Sequence, residues 1–251
     1  SKFLGKLKDA GLGSLPGTAA EILDDEVRAI LCPDKVNTSQ WLEVIETAHQ
    51  IGLKTTSTIM FGHIETPRHW ARHLIRLRDL QGRTGGITEF VPLPFVHMEA
   101  PIYLKGEARR GPSWRETVLI HSISRLVLHP LIQNIQTSWV KLGPMGAGIC
   151  LDAGANDLGG TLMNETITRS AGASHGQEFS PEQMDNLIKK LGKTPGQRST
   201  LYGAVNNVQE LKSYAAIPLE EVVNNNVKKY SKKVKPQFFS TVDQKSPHIA
   251  E

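Results

Sequence analysis

No run of about eighteen apolar residues occurs in the 251-residue chain, so no segment has the composition of a membrane-spanning helix. Cysteine is scarce. Cys32 and Cys150 are the only two, far apart and at no metal-ligand spacing, which excludes a disulfide framework. Isolated thiols suit a reducing compartment, so the expected location is the cytoplasm or an organelle lumen, not the exterior. No serine sits in a nucleophile elbow, and the glycine-rich Gly143–Gly148 lacks the lysine and hydroxyl that would close a phosphate-cradling loop. The amino end, SKFLGKLKDAG, has neither an initiator Met nor the apolar centre of a signal peptide, and reads as a cut into a longer polypeptide. Charge of one sign is not dominant either. The net +4 owes much to Lys228, Lys229, Lys232, Lys233 and Lys235. A lysine-rich tail with few aromatics reads as a solvated extension, and no nucleic-acid partner is expected.

What remains is ordinary globular composition, 39% hydrophobic and 22% charged. Its clearest segment is TTSTIMFGHIETPRHW, Thr55–Trp70. Thr55–Phe61 is β-branched and apolar, as in a buried strand; Gly62 permits a turn, and Thr66-Pro67 starts a helix. Around this βα unit the spacing predicts a short strand near Leu12–Leu15 and a helix capped by Asp24 or Asp25 running to Leu31. A helix from Thr38 to Gly52 follows. After Pro67 a helix should run to about Leu80 and end at Gly82, with Trp70, Leu74, Ile75 and Leu77 inward and its arginines mostly solvated. Ile87–Val91 reads as a strand stopped by Pro92-Leu93-Pro94. The connection Phe95–Pro112 is long enough to be a binding loop. Ser113 caps a helix with apolar Val118, Leu119, Ile123, Leu126 and Val127. Asn134–Val140 reads as a third strand, Ser180-Pro181-Glu182-Gln183 as a capping box opening a helix to Leu191, and Ser199–Tyr202 as a last strand. Strand and helix alternate, which argues for an α/β fold with parallel strands. Four or five such units are too few to close an eight-stranded barrel. Two parts are expected, a folded 1–203 and a polar, Lys/Asn-rich 204–251.

Parallel strands gather their carboxyl ends on one side. That side collects Gly62, His63, Glu65, Pro92, Pro94, His97, Gln136, Lys141, Asn156, Asp157 and Thr161. A rim this polar suits a small, hydroxyl-rich substrate. Each residue also has a plainer role. Glu65 can bias a helix start, Asp157 can make a turn beside Gly159, His49 can pack on a helix face, and His175 can be a loop histidine. His63, Glu65, His97 and Asp157 could alternatively be ligands of a divalent-metal barrel hydrolase or isomerase.

The strings PGTAAEILDDEVR, TTSTIMFGHIET, TEFVPLPFVH, GANDLGGTLMNE and AGASHG resemble the CofH half of the FO synthase family of radical S-adenosylmethionine enzymes. The resemblance runs from about Gly11 to Tyr202. It implies the carboxyl-terminal part of a radical SAM (β/α) TIM-type barrel, with the lysine-rich extension behind it. The implied activity joins a hydroxybenzyl group from L-tyrosine to 5-amino-6-(D-ribitylamino)uracil in deazaflavin synthesis, with ring closure by a CofG-type partner subunit or fused domain. The implied cofactors are S-adenosylmethionine and a 4Fe-4S cluster. Carried over by similarity, Glu21, Arg28, Gly62, Glu65 and Val91 would bind S-adenosylmethionine, with the backbone at Phe90 flanking the adenine. Asn156, Asp157, Glu165 and His175 would face the substrate. The family's Cys-x-x-x-Cys-x-x-Cys motif is absent, so the cluster ligands are expected upstream of Ser1 and the chain alone should be inactive. The near rivals are the radical enzymes of the futalosine route to menaquinone. From another class, the chain could be an interaction fragment that uses its basic tail.

Overall fold

Helix α1 (Lys2–Asp9) leads to the two-residue strand β1 (Ser14–Leu15), then α2 (Asp25–Leu31), α3 (Thr38–Gln50), β2 (Lys54–Phe61), α4 (Pro67–Thr84) and β3 (Ile87–Pro94). Helices follow: α5 (Pro101–Leu104), α6 (Trp114–Leu128), α7 (Trp139–Asp152), α8 (Thr166–Ser170), α9 (Pro181–Lys190) and α10 (Asn207–Tyr214). This computed structural model describes residues 2–161 and 164–219; the lysines from Lys228 to Lys235 lie outside them. The chain is an α/β protein with a small parallel sheet in the order β1-β2-β3.

Local chemistry sets the element ends. Asp24 caps α2 by accepting the Glu26 amide, and Ser113 and Ser180 close capping boxes with Glu116 and Gln183. Helix α3 is capped by Asn37 rather than Thr38, because Asn37 and Gln40 form the reciprocal box. Helix α4 runs past Gly82 to Gly85, whose φ of 60° supplies the left-handed stop. Its arginines line the outer side, where Arg68 and Arg78 are exposed and the half-buried Arg72 and Arg76 reach Asp24, with Arg68 and Arg72 also reaching Glu26.

Strand β3 continues through both prolines instead of stopping at them. The Phe90 amide points away from β2, to Asn134 O at 2.9 Å, so the same-parity Pro92 and Pro94 nitrogens face that side too. There β3 makes a single parallel bridge, Phe90↔Ile135, with a further one, Gln136↔Asp157, beyond it, and the missing N–H groups disturb no ladder. These bridges are all that exists of the expected third strand, since Trp139 and Val140 already belong to α7. Ser199–Tyr202 is a turn, not a strand, with only Arg198↔Ala204 bridged around it.

Two cores result. One packs Ile59, Phe61 and Phe90 of the sheet against Trp41, Ile45, Leu74, Leu77 and Ile120 of the helices. The other packs Trp139, Ala147, Cys150 and Leu158 against Phe179 and α9. Helix α6 turns Ile120, Ser124 and Leu128 inward and leaves Leu126 80% exposed, so its buried stripe is rotated from the expected one. Ile75 on α4 likewise faces out. The register Thr56↔Glu89, Thr58↔Val91 and Met60↔Leu93 puts these six side chains on the sheet face opposite the first core. That open face, with Glu89 at its start and Leu93 at its end, carries the site.

Candidate functional site

The turn after β2 is built around one carboxylate. Gly62 adopts φ 96°, a conformation glycine allows without strain, and a Cβ there would lie 2.2–2.9 Å from Pro112. Glu65 folds back under the turn. It accepts the Gly62 amide at 2.6 Å, the His63 amide at 2.9 Å, the Trp70 indole N–H at 3.1 Å and Arg109 at 3.2 Å. Its side chain is fully out of water. Burial alone would push this carboxyl up, but the two amides and Arg109 oppose it, and the group is held below its ordinary range.

His63 is not the cation in that set. Its Nδ1 accepts the Ile64 amide at 2.7 Å and its Nε2 donates to Met60 O at 3.0 Å, the pattern of a neutral ring. Burial pushes its pKa down, against the pull of Glu65. The N–H donors, rather than a His–Glu ion pair, therefore account for the charged Glu65. Arg109 also donates its amide to His63 O and reaches Glu116, so the Phe95–Pro112 loop is strapped onto the turn.

That loop forms one wall of a cavity of about 330 Å³ at the carboxyl ends of the strands, with Phe95, His97, Pro112, Trp114, Lys141 and His175 among its lining. A second cavity of about 240 Å³ lies beside it, lined by Leu93, Gln136, Ser138, Lys141, Glu165 and Thr168 among others. Lys141 is common to both. Glu165 also caps α8, accepting the amides of Ile167 and Thr168 at 3.1 and 2.8 Å. His175 packs over Gly143, where a Cβ would sit 2.6 Å from its Nε2. Gly143 breaks the helical geometry of α7 with φ 69°, which turns the glycine-rich stretch into a kinked helix instead of an open loop.

The other expected residues have different surroundings. Glu21 sits at φ 44°, a strained value for a side chain of this kind; its main-chain oxygen accepts the Met60 amide, and its carboxylate meets Lys35 at 2.9 Å. Arg28 is buried and donates to the carbonyls of Ala20 at 2.6 Å, Ala19 at 3.2 Å and Ile22 at 3.4 Å, and to Val36 O. Its guanidinium thus fixes the backbone that presents Glu21. Val91 is buried on the open face opposite Thr58. Asn156 accepts from Arg125 and from the Ile135 amide, at 2.7 and 2.8 Å, and holds the first of the isolated bridges.

Asp157 belongs to the floor of the open face. Its Oδ1 accepts the Gly159 amide at 2.6 Å, and its Oδ2 accepts from Arg198 at 2.5 Å and the Tyr202 hydroxyl at 2.7 Å. That hydroxyl also lies 2.5 Å from Glu89 Oε2. Burial, with the charge of Asp157 added, pushes the Glu89 carboxyl up, against Tyr202 and Arg198. Sequence reasoning missed Glu89, Arg198 and Tyr202, which meet across more than a hundred residues of chain. It placed Lys141 on the rim but gave it no role.

Of the four residues considered as metal ligands, His63 and Glu65 meet at 3.1 Å, but His97 and Asp157 do not join them in a ligand group. Among the described residues the group with three ligand types in reach is Asp24, Glu26 and His69, whose carboxylates already face Arg68, Arg72 and Arg76. An iron–sulfur cluster does not fit this chain's own residues, because Cys32 and Cys150 are both buried, on separate elements, and burial pushes both thiols up. The Glu21 main chain is bonded to the Met60 amide on the β2 strand, while its carboxylate is paired with Lys35. No helix among the described residues is long and apolar enough to cross a membrane.

Residues 84–211 match the family model described as the CofH/MqnC C-terminal region. The chain is 54% identical over 196 residues to the FO synthase of Mycobacterium tuberculosis (strain CDC 1551 / Oshkosh), covering 78% of this chain and 23% of that protein. Over 202 residues it is 54% identical to the 5-amino-6-(D-ribitylamino)uracil--L-tyrosine 4-hydroxyphenyl transferase of Methanothermobacter thermautotrophicus, and 55% identical to that of Methanopyrus kandleri. Each of these alignments covers 80% of this chain and 55% of the relative. The chain thus spans from about a quarter to about half the length of these relatives. A family match over residues 84–211 takes in β3 and both strand-end cavities, and the chain belongs to the CofH/MqnC family through its C-terminal region.

Proposed function

We propose that this chain forms the carboxyl-terminal portion of a radical S-adenosylmethionine (β/α) barrel that joins a tyrosine-derived aromatic group to 5-amino-6-(D-ribitylamino)uracil. The observation that carries this reading is that every residue lining the two strand-end cavities, from Leu93 to His175, falls inside the family match. When bound, S-adenosylmethionine with its 4Fe-4S cluster supplies radical initiation; the cluster's thiolates would come from outside this chain.

The residues here bind, orient and exclude water. Glu21, held in place by Arg28 and by the Met60 amide, would meet polar groups of the nucleoside, with Val91 as the apolar wall. Glu65 and Gly62 act one step back, fixing the turn and, through Pro112 and Arg109, the loop over the larger cavity. The rings of Phe95, Trp114 and His175 make that cavity suited to a phenol. Gln136, Ser138, Thr168 and Glu165 make the smaller one suited to a substrate with many hydrogen-bonding groups. Asn156 and Asp157 serve by holding the bridge and the floor rather than by touching substrate. A CofG-type activity would then close the ring.

The test is to supply the protein that carries this chain, reconstituted with iron, sulfide and S-adenosylmethionine, with L-tyrosine and the uracil. Formation of the coupled adduct is expected. Turnover of a futalosine-type substrate in its place would overturn the assignment.

A further inference from the structure

Lys141 differs from the other buried or half-buried cations among the described residues. Arg28, Arg109, Arg125 and Arg198 all have carbonyl or carboxylate acceptors within hydrogen-bond reach. The Lys141 ammonium, on the first turn of α7, has one acceptor among the described residues, the neutral Thr168 hydroxyl at 3.2 Å. An ammonium has three N–H donors, so two are left unmet by the described residues. The group also borders both cavities, at the point where the aromatic one meets the polar one. Burial pushes its pKa down while the charges of Glu165 and Glu21, neither of them hydrogen-bonded to it, oppose that shift. A cation placed this way is incomplete until an anion arrives.

We propose that Lys141 is the seat for the carboxylate of an aromatic amino acid whose ring occupies the cavity of Phe95, Pro112 and Trp114. The choice of an aromatic amino acid rests on the function proposed above; the anion seat rests on Lys141 alone. A carboxylate is favoured over a neutral carbonyl because it both fills the empty donor positions and offsets the charge that burial penalises. The apolar walls next to it favour a ring over a polar chain. Glu165, in the smaller cavity, lies on the side from which an α-ammonium would be attracted. Lys141 is therefore a binding residue that sets which end of the amino acid enters first.

The experiment is equilibrium binding to the protein that carries this chain, with L-tyrosine, tyramine, 4-hydroxyphenylacetate and 4-ethylphenol as probes. Lys141→Met should weaken L-tyrosine and 4-hydroxyphenylacetate by about tenfold or more, and leave tyramine and 4-ethylphenol within about twofold. Lys141→Arg should restore part of the carboxylate preference. A melting curve for each variant separates loss of binding from loss of fold. Equal weakening of all four probes by a folded Lys141→Met, or no weakening at all, would overturn the proposal. The two readings fail separately. Carboxylate preference that depends on Lys141, without adduct formation, would leave the seat standing and remove the transferase assignment. Adduct formation with an unchanged preference in Lys141→Met would do the reverse.

Discussion

Glu65 and Glu89 sit at opposite ends of the same strand pair, with side chains 0% and 12% exposed, and the protein treats them in opposite ways. Glu65, past the end of β2, is given four N–H donors and keeps its charge. Glu89, near the start of β3, shares one phenolic hydroxyl with Asp157 and leans toward its protonated form. Burial is the same problem at both. What differs is whether the neighbours are donors or a second acid. The end rich in donors is rigid and shapes the loop over the larger cavity, whereas the acid pair closes the floor beneath the open face.

The sharpest way to break the donor-rich end is Gly62→Ala. The new Cβ would need a positive φ and would overlap Pro112, so a loss of more than about 3 kcal/mol in chemical denaturation is expected. A loss below about 1 kcal/mol would mean that the loop is not docked on the turn.

Next in size is Glu65→Gln, which leaves the buried amides and Arg109 facing a neutral group. A loss of about 2–4 kcal/mol at neutral pH is expected in the same measurement. Its pH dependence has a definite sign. The native carboxyl titrates below its ordinary value of 4.5, so its contribution is complete above that pH and is lost as pH falls through the native value. The stability difference between parent and variant should therefore shrink on acidification from neutral pH to below 4.5. A difference that grew instead would reverse the picture of a charged Glu65.

This contrast also marks how far the sequence could be read. The strand Thr55–Phe61 and the start of the helix at Pro67 are legible, because strand composition, Gly62, Thr66 and Pro67 are all local signals, whereas the end of that helix lies past the expected Gly82. The strand through Pro92 and Pro94 is not legible, since which side of a strand lacks a partner is a tertiary property. The inner stripe of α6 was misjudged because buried Ser124 and His121 break a purely apolar pattern. At the site, Glu165 lines the smaller cavity and His175 the larger one. The roles of Asn156 and Asp157 depend on Arg125, Arg198 and Tyr202, and no local spacing announces partners that far away.

The acid end can be probed through its hydroxyl. Tyr202→Phe removes the group that separates Glu89 from Asp157 and leaves Arg198 alone between them. A loss of about 1–2 kcal/mol is expected at neutral pH. The loss should be smaller in acid, where Glu89 carries its proton and can donate directly to Asp157. A loss independent of pH would point to ring packing against Arg198, which lies 4.0 Å from the ring centre, as the whole effect.

The smallest expected change, and the one that tests the comparison most directly, is Glu89→Gln. The native carboxyl titrates above its ordinary value of 4.5, so protonated Glu89 contributes fully below that pH and its contribution is lost as pH rises through the native value. At neutral pH the parent must either hold a buried proton or tolerate a second charge beside Asp157. Gln presents the same shape, accepts from Tyr202 and carries no charge. Glu89→Gln is therefore expected to be neutral in acid and stabilising by about 1 kcal/mol at neutral pH, opposite in sign to Glu65→Gln. Denaturation of both variants at the two pH values checks this. If Glu89→Gln were destabilising at neutral pH, Arg198 at 3.4 Å would be an effective counter-ion for Glu89, and the two ends of the strand pair would use the same device after all.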